Sequence, residues 1–172
     1  SGRENAPDDE LDKDSFLTHW ENLKDTHHFF GMLHEFGVGR RQSMRLAEGK
    51  FTRRLTNDCL GGLLDNAVKD QTSIMCFVGN PGCIQIHTGI IFKTAIMGHW
   101  LNILDKTFNL HLNQSSVESI WAVEKPTSDG IVTSVEIFNE AGNCFCQFFG
   151  ERKPGRTELP GWRDIVANLP TL

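Results

Sequence analysis

The chain has 172 residues and contains no tyrosine. Any mechanism that uses a tyrosine as a metal ligand, an acid or a radical is therefore excluded. Long apolar runs are also missing, and no stretch approaches the roughly 20 apolar residues that a membrane-spanning helix needs. The hydrophobic fraction of 39% and the charged fraction of 23% are those of one globular domain with a real core.

Cysteine spacing in this chain matches neither a disulfide framework nor a zinc motif. The five cysteines are an odd number, and no Cys-x-x-Cys occurs. We therefore expect reduced thiols and no structural zinc site. No secretory signal is recognisable at the start, where Ser-Gly resembles an expression remnant. These features together predict a cytoplasmic protein.

Positive charge is in deficit, which argues against a nucleic-acid-binding surface. The formal net charge is −5. The distribution is uneven, because residues 1–14 are acidic while residues 40–54 hold six Lys or Arg against one Glu. This basic cluster suits a compact anion such as a carboxylate or a phosphate. A solvated helix face with partly buried stems remains the alternative.

Helical patterns fill the first part of the chain, after an acidic linker over residues 1–13. The predicted helices run from a cap at 14 or 15 to about 24, over 25–36, over 40–47, and from a cap at 57 or 58 to about 69. A short strand is predicted at 51–55.

Strand patterns follow, and a last helix is predicted over residues 160–168. The predicted strands cover 74–78, 83–88, 90–96, 101–104, 108–112, 120–124, 131–138 and 144–149. Pro81-Gly82 suits the centre of a type II turn, and residues 125–130 supply the chemistry of another. Helices followed by hairpin-linked strands predict an α+β fold, with a large antiparallel meander sheet packed by helices.

The predicted helix over residues 25–36, which Gly37 ends, has two unlike faces. One face would enter the core and consists of Phe29, Met32, Leu33 and Phe36. The opposite face presents an imidazole, an aromatic ring and open space, from His27, Phe30 and Gly31, with His34 beyond them. Such a face could hold a metal or a metalloporphyrin. A solvated or core-packed histidine pair explains the same spacing.

No catalytic set stands out, because the chain shows neither a Ser/His/Asp arrangement nor a Gly-Lys phosphate loop. His87 and His111 lie among apolar strand residues, where hydrogen-bonded core histidines are expected. Near the end of the chain, Gln147 and Phe149 alternate onto one strand face, and Arg152 follows. With Lys125, this segment could place cationic groups around an anion.

Several segments, in this order, resemble one protein family. They are DTHHFFG at 25–31, FVGNPGCIQI at 77–86, WLNI at 100–103, FNLHL at 108–112, KPTSDG at 125–130, VTSVE at 132–136, and QFFG at 147–150 with Arg152. The chain resembles the HemS/ChuS/PhuS family of bacterial cytoplasmic haem-utilisation proteins over nearly all of residues 14–170. The resemblance implies a large antiparallel sheet packed with helices. Full-length members contain two such units in tandem, and residues 14–172 resemble the second.

The resemblance also implies roles for single residues. His27 matches the proximal ligand of the haem iron, and His28 or His87 is an alternative ligand. Residues on the propionate side of the haem would be Arg40, Lys125, Gln147 and Arg152. Phe149 stands where relatives often have tyrosine, so a hydroxyl contact is missing here. Phe30 would contribute to the aromatic floor beside His27.

Two functions follow from the resemblance, and the residues leave both open. The protein would bind haem and pass it to a haem oxygenase, or receive it from a haem importer. Alternatively, it would open the porphyrin itself with O₂ and electrons from a partner, because no flavin or nicotinamide site is recognisable. A third interpretation, a partner-binding domain with a basic patch, predicts no haem uptake. No nucleic-acid partner and no membrane insertion are expected.

Overall fold

The structure is a computed structural model that describes residues 6–80 and 82–172. Part of the predicted linker and the Pro81 position of the predicted turn lie outside the described residues. The helices are α1 (Lys13–Glu21), α2 (His28–Phe36), α3 (Arg40–Leu46), α4 (Cys59–Lys69) and α5 (Pro160–Ala167). Within the described part of the chain, no helix combines the length and the apolar character needed to cross a bilayer.

Nine strands alternate with turns through the rest of the described chain. They are β1 (Thr52–Leu55), β2 (Ile74–Asn80), β3 (Cys83–Gly89), β4 (Thr94–Met97), β5 (Trp100–Leu104), β6 (Asn109–Asn113), β7 (Ser119–Thr127), β8 (Gly130–Phe138) and β9 (Cys144–Gly150). The segment before α1 contains a short 3₁₀ turn over Asp8–Glu10. Strands and helices together confirm the predicted α+β class.

The strands form two antiparallel sheets. A six-stranded sheet has the order β1-β7-β8-β9-β2-β3, and a three-stranded sheet has the order β4-β5-β6. The predicted meander is therefore confirmed for β7, β8 and β9. The β2-β3 hairpin extends the same sheet beyond β9. The separate smaller sheet is a feature that hairpin patterns alone did not predict, because they do not show which hairpins join.

Two of the wrong boundaries lie beside an aspartate that accepts backbone N–H groups. The expected strand over residues 90–96 is a strand only from Thr94, because the Asp105 carboxylate accepts the backbone N–H groups of Phe92 (3.1 Å) and Lys93 (2.8 Å). Helix α1 begins at Lys13, because the carboxylate of Asp12 accepts the Ser15 backbone N–H at 3.0 Å. Aspartate is a favourable N-cap residue for this reason.

The large sheet separates two cores. Helices α4 and α5 and the inner side of the small sheet cover one face. Gly150 in β9 allows close approach there, since a Cβ at this position would lie 2.7 Å from Trp162. The indole of Trp162 in turn donates to the Thr133 carbonyl at 2.9 Å. The tight contact fixes α5 against β8 and β9.

Helices α1, α2 and α3 cover only part of the other face. One row of directly opposed residues crosses the sheet on that side, comprising Arg54, Trp121, Glu136, Gln147, Phe77 and Ile86. Trp121 lies under the helices and is 2% exposed, whereas Ile86 at the far end is 63% exposed. The uncovered part consists of Met75, Phe77, Ile84, Ile86, Gln147 and Phe149, and we call it the open sheet face.

Candidate functional site

His27 stands at the start of α2, one of the helices on the partly covered side of the large sheet. The helix itself begins at His28, three residues later than predicted, and His27 is its N-cap residue. The cause is Asp25, whose Oδ1 accepts the His27 backbone N–H at 2.8 Å and so holds the chain in a turn. The predicted C-terminal stop is confirmed, since Gly37 adopts the left-handed conformation with φ of 64°.

The imidazole of His27 is exposed and has one nitrogen occupied. Its side chain is 91% exposed, and Nδ1 lies 2.7 Å from the same Oδ1 of Asp25. A carboxylate only accepts hydrogen bonds, so Nδ1 carries a proton in this contact, and in the neutral imidazole Nε2 has the lone pair. The hydrogen bonds from the His27 backbone and side chain lower the pKa of Asp25. An exposed imidazole with a free Nε2 can ligate a metal.

The two faces of α2 agree with the sequence pattern. Phe29, Met32 and Leu33 are buried, and Phe36 packs partly buried against the same cluster. On the opposite side, Phe30 is 56% exposed and lies one turn from His27. His28 and His34 are also exposed. The helix therefore presents an aromatic ring and imidazoles outward.

A buried ion cluster connects the helices to the sheet. Arg40 donates through Nε (3.2 Å) and Nη2 (3.1 Å) to Oε2 of Glu136, and Lys125 Nζ donates to Oε1 at 2.7 Å. Glu136 is completely buried and Lys125 is 4% exposed. Lys125 lies within β7 and not in the turn where the sequence placed it, because β7 continues to Thr127.

The electrostatics of this cluster favour a further negative charge. Burial alone would raise the pKa of Glu136, but Arg40 and Lys125 lower it to about 2. Burial lowers the pKa of Lys125, although Glu136 opposes that shift. Burial also disfavours the charged form of Arg40, and Glu136 more than offsets it, so its pKa is raised. Two cations sharing one carboxylate leave a net charge of +1.

The two cations of the ion cluster contact aromatic rings of α2. Lys125 Nζ lies 4.2 Å from the ring centroid of Phe29, and Arg40 Cζ lies 5.0 Å from that of Phe30. Phe30 therefore joins the outward face of α2 to the cations. Sequence reasoning missed Glu136, although a lone carboxylate inside the apolar strand β8 was a signal that a buried cation is required.

Strand β9 continues the site across the open sheet face. Gln147 is directly opposite Glu136 on one side and Phe77 on the other. Phe149 is partly buried, and its ring centroid is 5.3 Å from that of Phe77. Arg152 follows the end of β9, and no salt bridge of Arg152 occurs within residues 6–80 and 82–172. The structure thus brings Phe30, Arg40, Lys125 and Gln147 into one connected group.

Other sequence candidates lie elsewhere. His87 is opposite Cys76 on the face turned towards α4 and α5, where it stacks on Phe108 at 3.9 Å. It therefore does not share the face of His27. His111 Nδ1 is 2.6 Å from the Asn102 side chain, which confirms the predicted hydrogen bond. His111 is exposed, so the predicted core position is wrong.

Side chains of the basic cluster over residues 40–54 contact other groups of the protein. Arg53 donates to the Leu169 and Val166 carbonyls at 2.9 and 2.8 Å, which lie at the end of α5. Arg54 lies over the indole of Trp121 at 5.3 Å. The side chains of this cluster therefore contact different parts of the protein, and Arg40 is the member that reaches Glu136.

The arrangement combines three features that one flat, anionic, metal-containing ligand requires. The open sheet face and Phe30 offer apolar and aromatic surface, the cluster offers net positive charge, and His27 offers a ligating nitrogen. A metalloporphyrin with carboxylate substituents has this combination of groups. The donor set in this chain therefore fits haem.

Comparison with known proteins identifies the family. The model of the haemin-degrading HemS/ChuX domain matches residues 37–169. The hemin transport protein HmuS of Yersinia pestis is 38% identical over 150 residues, which cover 87% of this chain and 44% of that protein.

Two solved structures are similar throughout. Holo-PhuS, a heme-binding protein from Pseudomonas aeruginosa, is 42% identical with a TM-score of 0.95, covering 97% of this chain and 48% of that one. The heme-degrading enzyme ChuS of Escherichia coli O157:H7 is 38% identical with a TM-score of 0.90, covering 96% and 50%. The chain spans about half the length of these relatives. It belongs to the HemS/ChuS/PhuS family.

Proposed function

We propose that this chain binds haem through His27 and transfers it to another protein in iron acquisition in the cytoplasm. The observation that carries the proposal is the exposed His27 imidazole, with Nδ1 held by Asp25, beside a buried cluster of net positive charge. A family of haemin-handling proteins with this fold supports the same ligand. The haem iron would be bound by the His27 ring, and the chain would supply the other contacts to the haem.

Residues of the open sheet face and of α2 would contact the apolar part of the haem. Phe30 is already exposed beside the site, and Phe77 and Phe149 form an edge-to-face pair on the sheet. Aromatic side chains bury large apolar areas with little loss of conformational entropy. Because position 149 is phenylalanine, it would contribute a ring but no hydroxyl contact.

Charged residues would hold the haem carboxylates. Arg152 has no salt bridge within the described residues, and Arg40 and Lys125 share a single carboxylate. Hydrogen bonds from a cationic donor to a carboxylate are about twice as strong as neutral ones. Gln147, opposite Glu136, would donate an amide N–H to a haem carboxylate. A haem carboxylate would then neutralise the residual charge of the cluster.

We favour transfer over degradation because the site offers binding groups and no evident acid–base set for oxygen chemistry. Degradation is the second candidate, and the similarity to ChuS, which is named as a heme-degrading enzyme, favours it. That reaction would consume O₂ and need electrons from a reductase.

The chain spans about half of these relatives. We therefore also propose that it corresponds to the second of two tandem units, and that residues 1–13 are the remains of the linker.

Haemin titration of the purified chain tests the binding function. We expect a saturable Soret band at one haem per chain and a higher unfolding midpoint, because a ligand at 100 times its Kd stabilises the folded state by about 2.7 kcal/mol. A Soret change that does not saturate, with no shift in midpoint, would contradict haem binding and favour a partner-binding domain.

Turnover of the loaded protein separates transfer from degradation. Reductant and O₂ are added with catalase present, because free peroxide destroys bound haem without any enzyme. Transfer predicts an intact haem spectrum under these conditions, and loss of haem to an apo-haem oxygenase added in a separate sample without reductant. Release of iron and a linear tetrapyrrole in the presence of catalase would favour degradation.

A further inference from the structure

Asp25 makes two contacts to the same histidine. Its Oδ1 accepts the His27 backbone N–H at 2.8 Å and lies 2.7 Å from Nδ1 of the ring. The backbone contact fixes the position of the residue, and the ring contact fixes the orientation of the imidazole. One carboxylate oxygen thus determines where His27 lies and which nitrogen it presents.

Histidines that ligate metals commonly donate their other ring N–H to a carboxylate, which selects the tautomer and increases the basicity of the ligating nitrogen. His27 has this arrangement. The neighbouring His28 lacks it. His28 donates its backbone N–H to the Asp25 carbonyl at 3.1 Å, and no hydrogen bond to its ring occurs within residues 6–80 and 82–172.

We propose that Asp25 is a positioning residue, which holds His27 with its proton on Nδ1 and thereby directs the iron to Nε2 of His27 in preference to His28. The inference rests on the proposed function, because it takes the metal to be haem iron. It deepens that function by naming the group that selects one ligand from two adjacent histidines.

A purely structural role for Asp25 must be separated from this one. Asparagine satisfies the backbone N–H of a helix start as well as aspartate does, so Asp25→Asn keeps the turn and an oxygen acceptor while removing the charge. Asp25→Ala removes both contacts. Asp12→Asn is the control, because the carboxylate of Asp12 also accepts a backbone N–H at a helix start, that of Ser15, without contacting a histidine.

The first test needs no haem. The ring nitrogens of the labelled chain are followed by ¹⁵N NMR at about pH 8, where histidine is neutral. We expect the proton on Nδ1 for His27 in the wild type and in Asp12→Asn, and a shift of the proton towards Nε2 in Asp25→Ala. A wild-type His27 that carries its proton on Nε2 would overturn the proposal.

The second test uses the haem complex. In the ferrous state, the iron–histidine stretching frequency measured by resonance Raman should be lower in Asp25→Asn than in the wild type and in Asp12→Asn. A merely structural role predicts no such change. In a His27→Ala background, Asp25→Asn should have no effect, because the coupled partner is gone. Asp25→Ala should weaken haemin binding about 10–100-fold.

The outcomes distinguish the two proposals. A wild-type chain that takes up no haemin overturns the proposed function and, with it, the role of Asp25 towards iron. If His27→Ala abolishes the haem spectrum while both Asp25 variants match the wild type in frequency and affinity, haem binding stands and the role of Asp25 is overturned.

Discussion

Lys125 and Glu136 lie on adjacent strands and form a buried ion pair, with Nζ 2.7 Å from Oε1. Neither charge would be stable at this depth alone, because removing an ion from water costs several kcal/mol. Arg40 reaches the other carboxylate oxygen from α3, so the pair also fixes a helix on the sheet. The relationship makes Glu136 the residue on which the cationic side of the site depends.

Replacing Glu136 by glutamine should strongly destabilise the fold at neutral pH. The change leaves two buried cations without a counter-charge, and breaking a buried pair in this way costs about 3–5 kcal/mol. Urea unfolding measures the difference. Glu124→Gln is the control, because Glu124 is exposed on β7. Adding Lys125→Met to Glu136→Gln should recover part of the loss, and equal stability of Glu136→Gln and wild type would contradict the account.

The stability that Glu136 contributes should depend on pH in a defined window. Its pKa is about 2 in the folded protein, against an ordinary value of 4.5. A depressed carboxyl pKa stabilises the fold above the unfolded value, and this contribution is lost as pH falls from about 4.5 towards 2. The total is on the order of 3 kcal/mol.

Urea unfolding between about pH 6 and pH 3 checks this window. The gap in stability between the wild type and Glu136→Gln should narrow as the pH falls. A gap that stays constant across that range would show that Glu136 is not held ionised by its two partners.

Phe30→Ala should weaken haem binding while leaving the fold intact. The ring is 56% exposed beside His27, so its loss removes ligand contact and little core. Loss of one aromatic contact corresponds to roughly a tenfold increase in Kd. Haemin titration with the unfolding midpoint measures both effects. Phe92→Ala is the matched control, because Phe92 is 73% exposed between β3 and β4. An equal loss of haem affinity in both variants would contradict the contact between Phe30 and haem.

Arg152→Ala should weaken the binding of haem but not that of its dimethyl ester. The ester keeps the ring and the iron and removes both carboxylates, so the arginine would have nothing to bind. A charged hydrogen bond of this kind contributes about 1.5–3 kcal/mol, or roughly tenfold or more in Kd. Lys106→Ala, in the exposed β5–β6 turn, is the control. If Arg152→Ala weakens both ligands equally, its role towards carboxylates is wrong.

Local patterns predicted the elements well because the information lies in nearby residues. The apolar side of α2 follows from helical spacing, and Gly37 ends the helix as its conformation requires. The outward position of Phe30 follows from the same spacing. The hairpins of the large sheet follow from alternation and turn residues.

Local sequence patterns did not predict the ion pairs between residues that are distant in the sequence. Glu136 binds Lys125, 11 positions away, and Arg40, 96 positions away. Nothing local shows that one carboxylate will serve both cations. The predicted helix start was also wrong, because a side chain of Asp25 competes with the helix for the His27 backbone. That same contact prepares the candidate ligand, so the deviation from the pattern lies at the proposed site.

The most direct measurement is the Soret spectrum of haemin-titrated wild type beside His27→Ala and His28→Ala. The account predicts one saturable site in the wild type, the same spectrum in His28→Ala, and a lost or shifted band with weaker binding in His27→Ala. An unchanged spectrum in His27→Ala, or a shift confined to His28→Ala, would contradict His27 as the ligand.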